Sequence, residues 1–239
     1  MRRWSVTCKA AVLVSVVICV AVVCAVGVGT AWGGTIKGTV RLAGAAVKPK
    51  KFPVTIDQYI CGKEKEAEDV VLSPDNGIRY AVVSLQNAPT GAKWEAPLAP
   101  AQIDQKQCVF VPRVVIVPVG GTVEFLNSDR LLHNLKSFSK VNSPFNKAHP
   151  KARTISVVFK GPEIIRIECD LHSWMRTWVI VADHPFYAVT NDQGAFALDN
   201  VPPGKYTLQV WQESLGTVTR EVTVGDKAVT AVTVEMSKK

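Results

Sequence analysis

The chain has 239 residues, 28 Lys and Arg against 20 Asp and Glu, and a formal charge of +8 at pH 7. That length suits one large β domain or two small ones. The mild basicity comes with neither a polybasic run nor a nucleic-acid-binding signature, so no nucleic acid partner is expected and the charge points at most to acidic proteins.

Arg2, Arg3 and Lys9 precede an uncharged apolar run from Ala10 to Gly29, which ends in small residues around Thr30-Ala31. This basic, apolar, small order is that of a secretory signal, and the run is also long enough to span a bilayer as a helix. Residues 1–33 therefore read as a cleaved signal or as an N-terminal anchor in the cytoplasmic membrane through residues 10–29. Both readings export the body to the periplasm or the extracellular space. Without these three basic residues the charge is +5.

From Gly34 onward the chain reads as strand and turn. Strands are expected at Thr35–Leu42, Tyr80–Leu85, Val109–Val117, Thr122–Leu126, Ile155–Phe159, Glu163–Cys169 and Met175–Val181. More follow at Tyr187–Thr190, Ala195–Leu198, Tyr206–Trp211, Val218–Val224 and Val229–Val234. Gly120-Gly121, the run Asn191 to Gly194, Pro202-Pro203-Gly204 and Gly225-Asp226 supply the turns. A short helix fits within Ile56–Glu68, and the Pro- and Ala-rich stretch Gly91–Gln107 reads as a loop or linker. Many short strands with regular turns mean an all-β antiparallel sandwich or barrel.

The chemistry concentrates in "CDLHSWM", Cys169 to Met175, where a thiol, an imidazole and a thioether fall within seven residues. Side chains alternate along a strand, so Cys169 shares a face with Ile165 and Ile167, and Met175 shares one with Thr177, Val179 and Val181. The intervening loop, Asp170–Trp174, then presents His172. Zinc prefers Cys and His without Met, and calcium and magnesium want oxygen. A trigonal pair of histidines and a cysteine with a long axial Met is the blue-copper set. It needs a second histidine, for which His133, His149 and His184 are the candidates. His133, in "GGTVEFLNSDRLLHN", fits best.

Val109 to Ala182 resembles a cupredoxin, and the spacing of Cys169, His172 and Met175 is closer to amicyanin than to plastocyanin. In that family the first ligand is the His of a His-Asn pair after a strand ending in Asn, which maps onto His133-Asn134 after Asn127. The resemblance implies one type 1 copper, cycling Cu(II)/Cu(I), held by His133, Cys169, His172 and Met175. It also implies that Asn134 ties the ligand loops together and that electrons pass through an exposed edge of His172. His149, among lysines, reads as a surface loop residue, and His184, before Pro185, as structural.

A second resemblance lies in "AVTNDQGAFALDNVPPGKYTLQVW", which is similar to the carboxypeptidase-regulatory-like, transthyretin-related β-sandwich. Strands that usually open such domains occur early, at Gly34–Gly44 and Tyr80–Ala88. One sandwich interrupted by an inserted domain accounts for this, and a plain tandem is the alternative. The expected organisation is N-terminal strands over 34–104, a copper domain over 105–183 and transthyretin-like hairpins over 184–239.

Cys8, Cys19 and Cys24 belong to the leading segment, leaving Cys61, Cys108 and Cys169. An odd count in an oxidising compartment is explained if Cys61 pairs with Cys108 and a metal protects Cys169. Trp174, Lys136 and Arg176 are candidates for docking a redox partner, an acidic c-type cytochrome or a dehydrogenase. Neither an acid/base pair nor a nucleophile constellation stands out, so an electron carrier is expected rather than an enzyme. The alternatives are a copper carrier using the same ligands and a non-metal interaction module.

Overall fold

The computed structural model describes residues 33–46, 48–94 and 99–238. The segment read as a signal or anchor lies outside the described residues, apart from Gly33. Among the described residues no helix is long and apolar enough to cross a membrane.

Two β-sandwiches account for the described chain. In the first, Gly34–Leu42 lies between Ala195–Val201, antiparallel, and Val229–Met236, parallel. The facing sheet runs Tyr187–Val189, Val82–Leu85, Gly204–Gln212, Gly216–Val224. Period-two alternation sends Tyr206, Leu208 and Val210 inward, onto Ile36, Val40, Val83 and Leu85 in one core. Gly38 is required there: a Cβ would meet the carbonyl oxygen of Val232 at 2.1 Å and the ring of Phe196 at 2.9 Å. Strands from both ends of the chain therefore share each sheet, and the chain leaves this sandwich after Leu85 to return at Tyr187.

Between those points lies the second sandwich. One sheet is ordered Ile155–Val158, Thr122–Asn127, Ala101–Lys106, Val109–Val111, and the other Asn146–His149, His133–Phe138, Glu163–Glu168, Arg176–Ala182, Val114–Pro118. Its core is built on Ile103, Phe125, Leu135, Ile165, Ile167 and Val179. The strand Ala101–Lys106 corrects the loop expected over Gly91–Gln107 and moves the start of this sandwich ahead of residue 105. Its alternation is masked because a glutamine, Gln105, holds a fully buried position beside Ile103. The amide of Gln105 is satisfied by its donation to the Asn134 carbonyl at 3.2 Å and by His149 Nδ1 at 2.7 Å from its oxygen.

The N-terminal stretch 34–104 is also divided. Val54 and Cys61 belong to the second core, not the first. The expected helix is a single turn, Gln58–Cys61, and the neighbouring Lys51–Pro53 pairs with Glu64–Glu66. This strap is fixed by a Cys61–Cys108 disulfide across 47 residues of sequence. On a chain-entropy view a loop of that size contributes about 4 kcal/mol.

A smaller cluster joins the sandwiches: Val82, Val114 and Ile180, with the rings of Trp178 and Trp211 edge to face at 4.9 Å. Arg113, 3% exposed, reaches Glu213 across this junction at 2.6 Å.

At the far end of the second sandwich, Glu163 closes the turn from Ser139 to Asn142. Burial, the largest single influence, raises its pKa. The Ser139 hydroxyl, the Lys140 amide and both the side chain and amide of Asn142 outweigh it and hold the group at about 2, against an ordinary 4.5. A depressed carboxylate contributes stability above its unfolded pKa and loses it as pH falls through the folded one. Glu163→Gln should therefore destabilise the protein at neutral pH. The gap from wild type should shrink between pH 4.5 and about 2. Urea unfolding across that window checks it, and a pH-independent gap would show that the loss is packing alone.

Candidate metal centre

Strand Glu163–Glu168 sends Ile165 and Ile167 into the core, and Cys169 continues that face at 3% exposure. Met175, 1% exposed, stands at the start of the returning strand Arg176–Ala182. The loop between them is closed by two backbone bonds, from the Cys169 amide to the Met175 carbonyl at 3.2 Å and from the Met175 amide to the His172 carbonyl at 2.9 Å. His133 opens the adjacent strand, His133–Phe138. Both histidines are fully buried.

Their ring nitrogens converge. His133 Nδ1 and His172 Nδ1 are 3.1 Å apart, and Cys169 Sγ lies 3.9 Å from the first and 3.7 Å from the second. Each far nitrogen meets a carboxylate: His133 Nε2 is 3.0 Å from Asp129 Oδ2, and His172 Nε2 is 3.3 Å from Asp57 Oδ2. A neutral imidazole carries one N–H. If Nε2–H donates to the carboxylate in both rings, two Nδ1 lone pairs face each other beside the sulfur. If either ring takes the other tautomer, a lone pair faces a carboxylate instead. A cation between the two Nδ1 atoms and Sγ satisfies every group at once, so the donor set fits a bound metal. Burial, above all, lowers the pKa of His133, and His172 adds to that, against the opposing hydrogen bond to Asp129.

Asp129 is itself held by strain nearby. Gln107 and Cys108 form a two-residue turn with φ of 53° and 55°. Left-handed backbone costs an L-residue roughly 1–2 kcal/mol. Here the Asp129 carboxylate accepts both amides, at 2.6 and 2.8 Å. The same interactions fix the carboxylate that orients His133. Carboxylate partners on metal-ligating histidines serve this purpose.

Asn134 performs the tying role expected of it. Its Oδ1 accepts the Asp170 amide at 2.6 Å, and its Nδ2 donates to Asp170 at 3.2 Å and to Asn146 at 2.8 Å. Burial pushes the Cys169 thiol pKa up, while the backbone amides of Asn134, His172 and Leu171 pull it down by facing the sulfur. Those amides are placed to stabilise a thiolate.

Three sequence expectations are corrected. The edge of His172 is not exposed, because the strap lays Asp57 and Cys61 Sγ, 3.8 Å from Nε2, across it. His149 is no surface residue. It is fully buried opposite His133 in the strand Asn146–His149, between Gln105 and the Arg153 carbonyl at 2.6 Å. Arg176 is no free docking cation, since Glu168 at 2.8 Å and Glu213 at 3.2 Å hold it. Lys136 is half-exposed and paired with Asp170 at 3.0 Å. Trp174 is half-buried: its indole N–H donates to the Cys108 carbonyl at 2.8 Å and its ring lies 5.2 Å from that of His172. His184 is structural, its Nδ1 accepting the Phe186 amide at 3.2 Å. Asp57 and Asp129 were not picked out from sequence. Asp129, four residues before His133, had a local signal; Asp57 had none.

Residues 179–237 match the carboxypeptidase regulatory-like domain family. No curated protein matches the chain. Among solved structures, a Cu-containing nitrite reductase from Thermus scotoductus SA-01 is 26% identical with a TM-score of 0.34, over 41% of this chain and 25% of the reductase. The chain thus spans about a quarter of that enzyme. A purple cupredoxin from Nitrosopumilus maritimus is 24% identical with a TM-score of 0.31, over 34% of this chain and 99% of the cupredoxin. A Cu(I) amicyanin mutant is 20% identical with a TM-score of 0.32, over 42% of this chain and 98% of its own.

Proposed function

We propose that the protein binds one copper ion through His133, Cys169 and His172, with Met175 as the weak fourth donor, and carries single electrons between exported redox partners. The observation that carries this is the meeting of two Nδ1 atoms and one thiol in a buried site, with each far nitrogen on a carboxylate. When bound, copper supplies a one-electron Cu(II)/Cu(I) couple in such a set. The protein's part is to hold the donors still: Asp129 and Asp57 orient the rings, Asn134 and Asp170 lock the loop, and the burial of all four side chains excludes water. The burial favours a carrier of electrons over a carrier of copper, which needs an exchangeable ion.

Export follows from residues 1–33 as a signal or anchor. An acidic redox protein, such as a c-type cytochrome, remains the proposed partner. Lys147, Lys151 and Arg153 are exposed, and none has a carboxylate partner among the described residues. Lys147 lies in the strand that pairs with His133, and Lys151 and Arg153 follow it.

Titration of the copper-free protein with Cu(II) tests the reading. One equivalent should bind and produce an intense visible band from the Cys169 thiolate. A colourless complex, or a stoichiometry well away from one, rejects it.

A further inference from the structure

Nothing in the four-donor set requires the strap, yet the strap supplies the group that touches His172. Asp57 precedes the single turn Gln58–Cys61, and its carbonyl accepts the amides of Ile60 and Cys61, so its place is set by that turn. Val54 on one side and Cys61 on the other are buried in the core around the site, and Cys61 is bonded to Cys108. Cys108 in turn donates its amide to Asp129 and accepts the indole of Trp174 through its carbonyl. One covalent link thus joins the strap that carries Asp57 to the turn whose amides hold Asp129.

We infer that Asp57 is a positioning residue for His172. Its carboxylate takes the Nε2 hydrogen, which leaves Nδ1 as the lone pair facing Cys169 and His133, and the disulfide holds the strap so that this contact persists. The carboxylate also replaces water at the ring edge, where its side chain is 31% exposed and the imidazole not at all. A negative charge on the far side of a ligand favours the more highly charged metal ion. Asp57 therefore holds the oxidised state more firmly than the reduced one. This inference rests on the copper reading for its redox part, but not for the tautomer.

The backbone of Asp57 dictates the variants. At φ 54° and ψ 29° it is left-handed, which Gly and Asn tolerate and Ala does not. Asp57→Gly removes the acceptor without adding strain, and Asp57→Asn keeps an acceptor without the charge. Imidazole nitrogen-15 shifts of the copper-free protein should show His172 as the Nε2–H tautomer in wild type and in Asp57→Asn, and as a mixture in Asp57→Gly. A free-thiol count confirms that the disulfide survives in each.

With copper, Asp57→Gly should release the ion to a chelator about 10–100-fold faster, the range for losing the outer partner of a histidine ligand. Asp57→Asn should raise the midpoint. A tenfold preferential loss of Cu(II) affinity corresponds to about 59 mV for a one-electron couple. An Asp57→Gly protein with the wild-type tautomer and off-rate overturns the inference, as does Asp57→Asn with an unshifted midpoint. A wild-type protein that takes up no copper rejects the proposed function instead, while the tautomer comparison still tests Asp57.

Discussion

Replacing Cys169 with serine is expected to abolish the intense visible band of the copper-loaded protein and to weaken Cu(II) binding by more than about 100-fold. Loss of an outer hydrogen-bond partner alone costs about 10–100-fold, and Cys169 is a direct donor. Serine fits the space, so the fold should survive. What changes is the donor: sulfur 3.7 and 3.9 Å from the two imidazole nitrogens becomes a smaller, harder oxygen that does not reach as far. The backbone amides of Asn134, Leu171 and His172 that face the sulfur would meet a hydroxyl. Soft thiolate is the ligand that selects copper in such a set. Met175→Leu is the contrast, because a weak axial thioether can be lost with the colour retained and the potential raised. Absorption spectra with competitive chelator titrations of the two variants separate the roles. A Cys169→Ser protein that stays coloured would move the site elsewhere.

Much of this centre could be read from residues alone, because its parts are local. Cys169, His172 and Met175 lie on one strand-loop-strand, and alternation along Glu163–Glu168 fixes which face Cys169 takes. His133-Asn134 needed a family resemblance, since nothing local brings it to Cys169. The early strands were matched to the late hairpins by motif, and the sheets do pair Gly34–Leu42 with Ala195–Val201. Three features resisted. Gln105 hid a strand, because a buried polar residue breaks the alternation on which strand reading depends. His149 looked exposed among lysines, but its ring is turned inward to Gln105 and the Arg153 carbonyl. Asp57 reaches its imidazole across 115 residues, from a strap that is bonded to Cys108.

Arg176, expected to dock a partner, instead joins a buried ion-pair network at the junction, and that network carries the second large effect. Glu213→Ala should destabilise the protein by about 3 kcal/mol, near the low end of the range for stripping one partner from a buried ion pair. Glu213 Oε1 accepts Arg113 Nε at 2.8 Å and Nη2 at 2.6 Å, and Oε2 accepts Arg176 Nη1 at 3.2 Å. Side-chain exposures of 3% for Arg113 and 6% for Glu213 mean that water cannot replace the lost carboxylate. Glu68 at 3.4 Å and Asp69 at 3.8 Å remain, which keeps the loss from being larger. Lys51–Glu64 is the internal control: both side chains are more than half exposed, so Glu64→Ala should cost under about 1 kcal/mol. Urea unfolding of the copper-free proteins measures both. Exchanging the pair for apolar residues, Arg113→Met with Glu213→Leu, should recover much of the loss, because a buried pair gains little over good packing. The Arg113 carbonyl also accepts the Thr177 hydroxyl and the Trp178 amide, two and three residues beyond Met175. The ligand loop, however, is closed by its own bonds to Asn134 and within residues 169–175. Glu213→Ala should therefore lower stability and leave the visible spectrum unchanged. A spectrum that shifts with it would mean that the junction, and not the loop, sets the geometry of the donors.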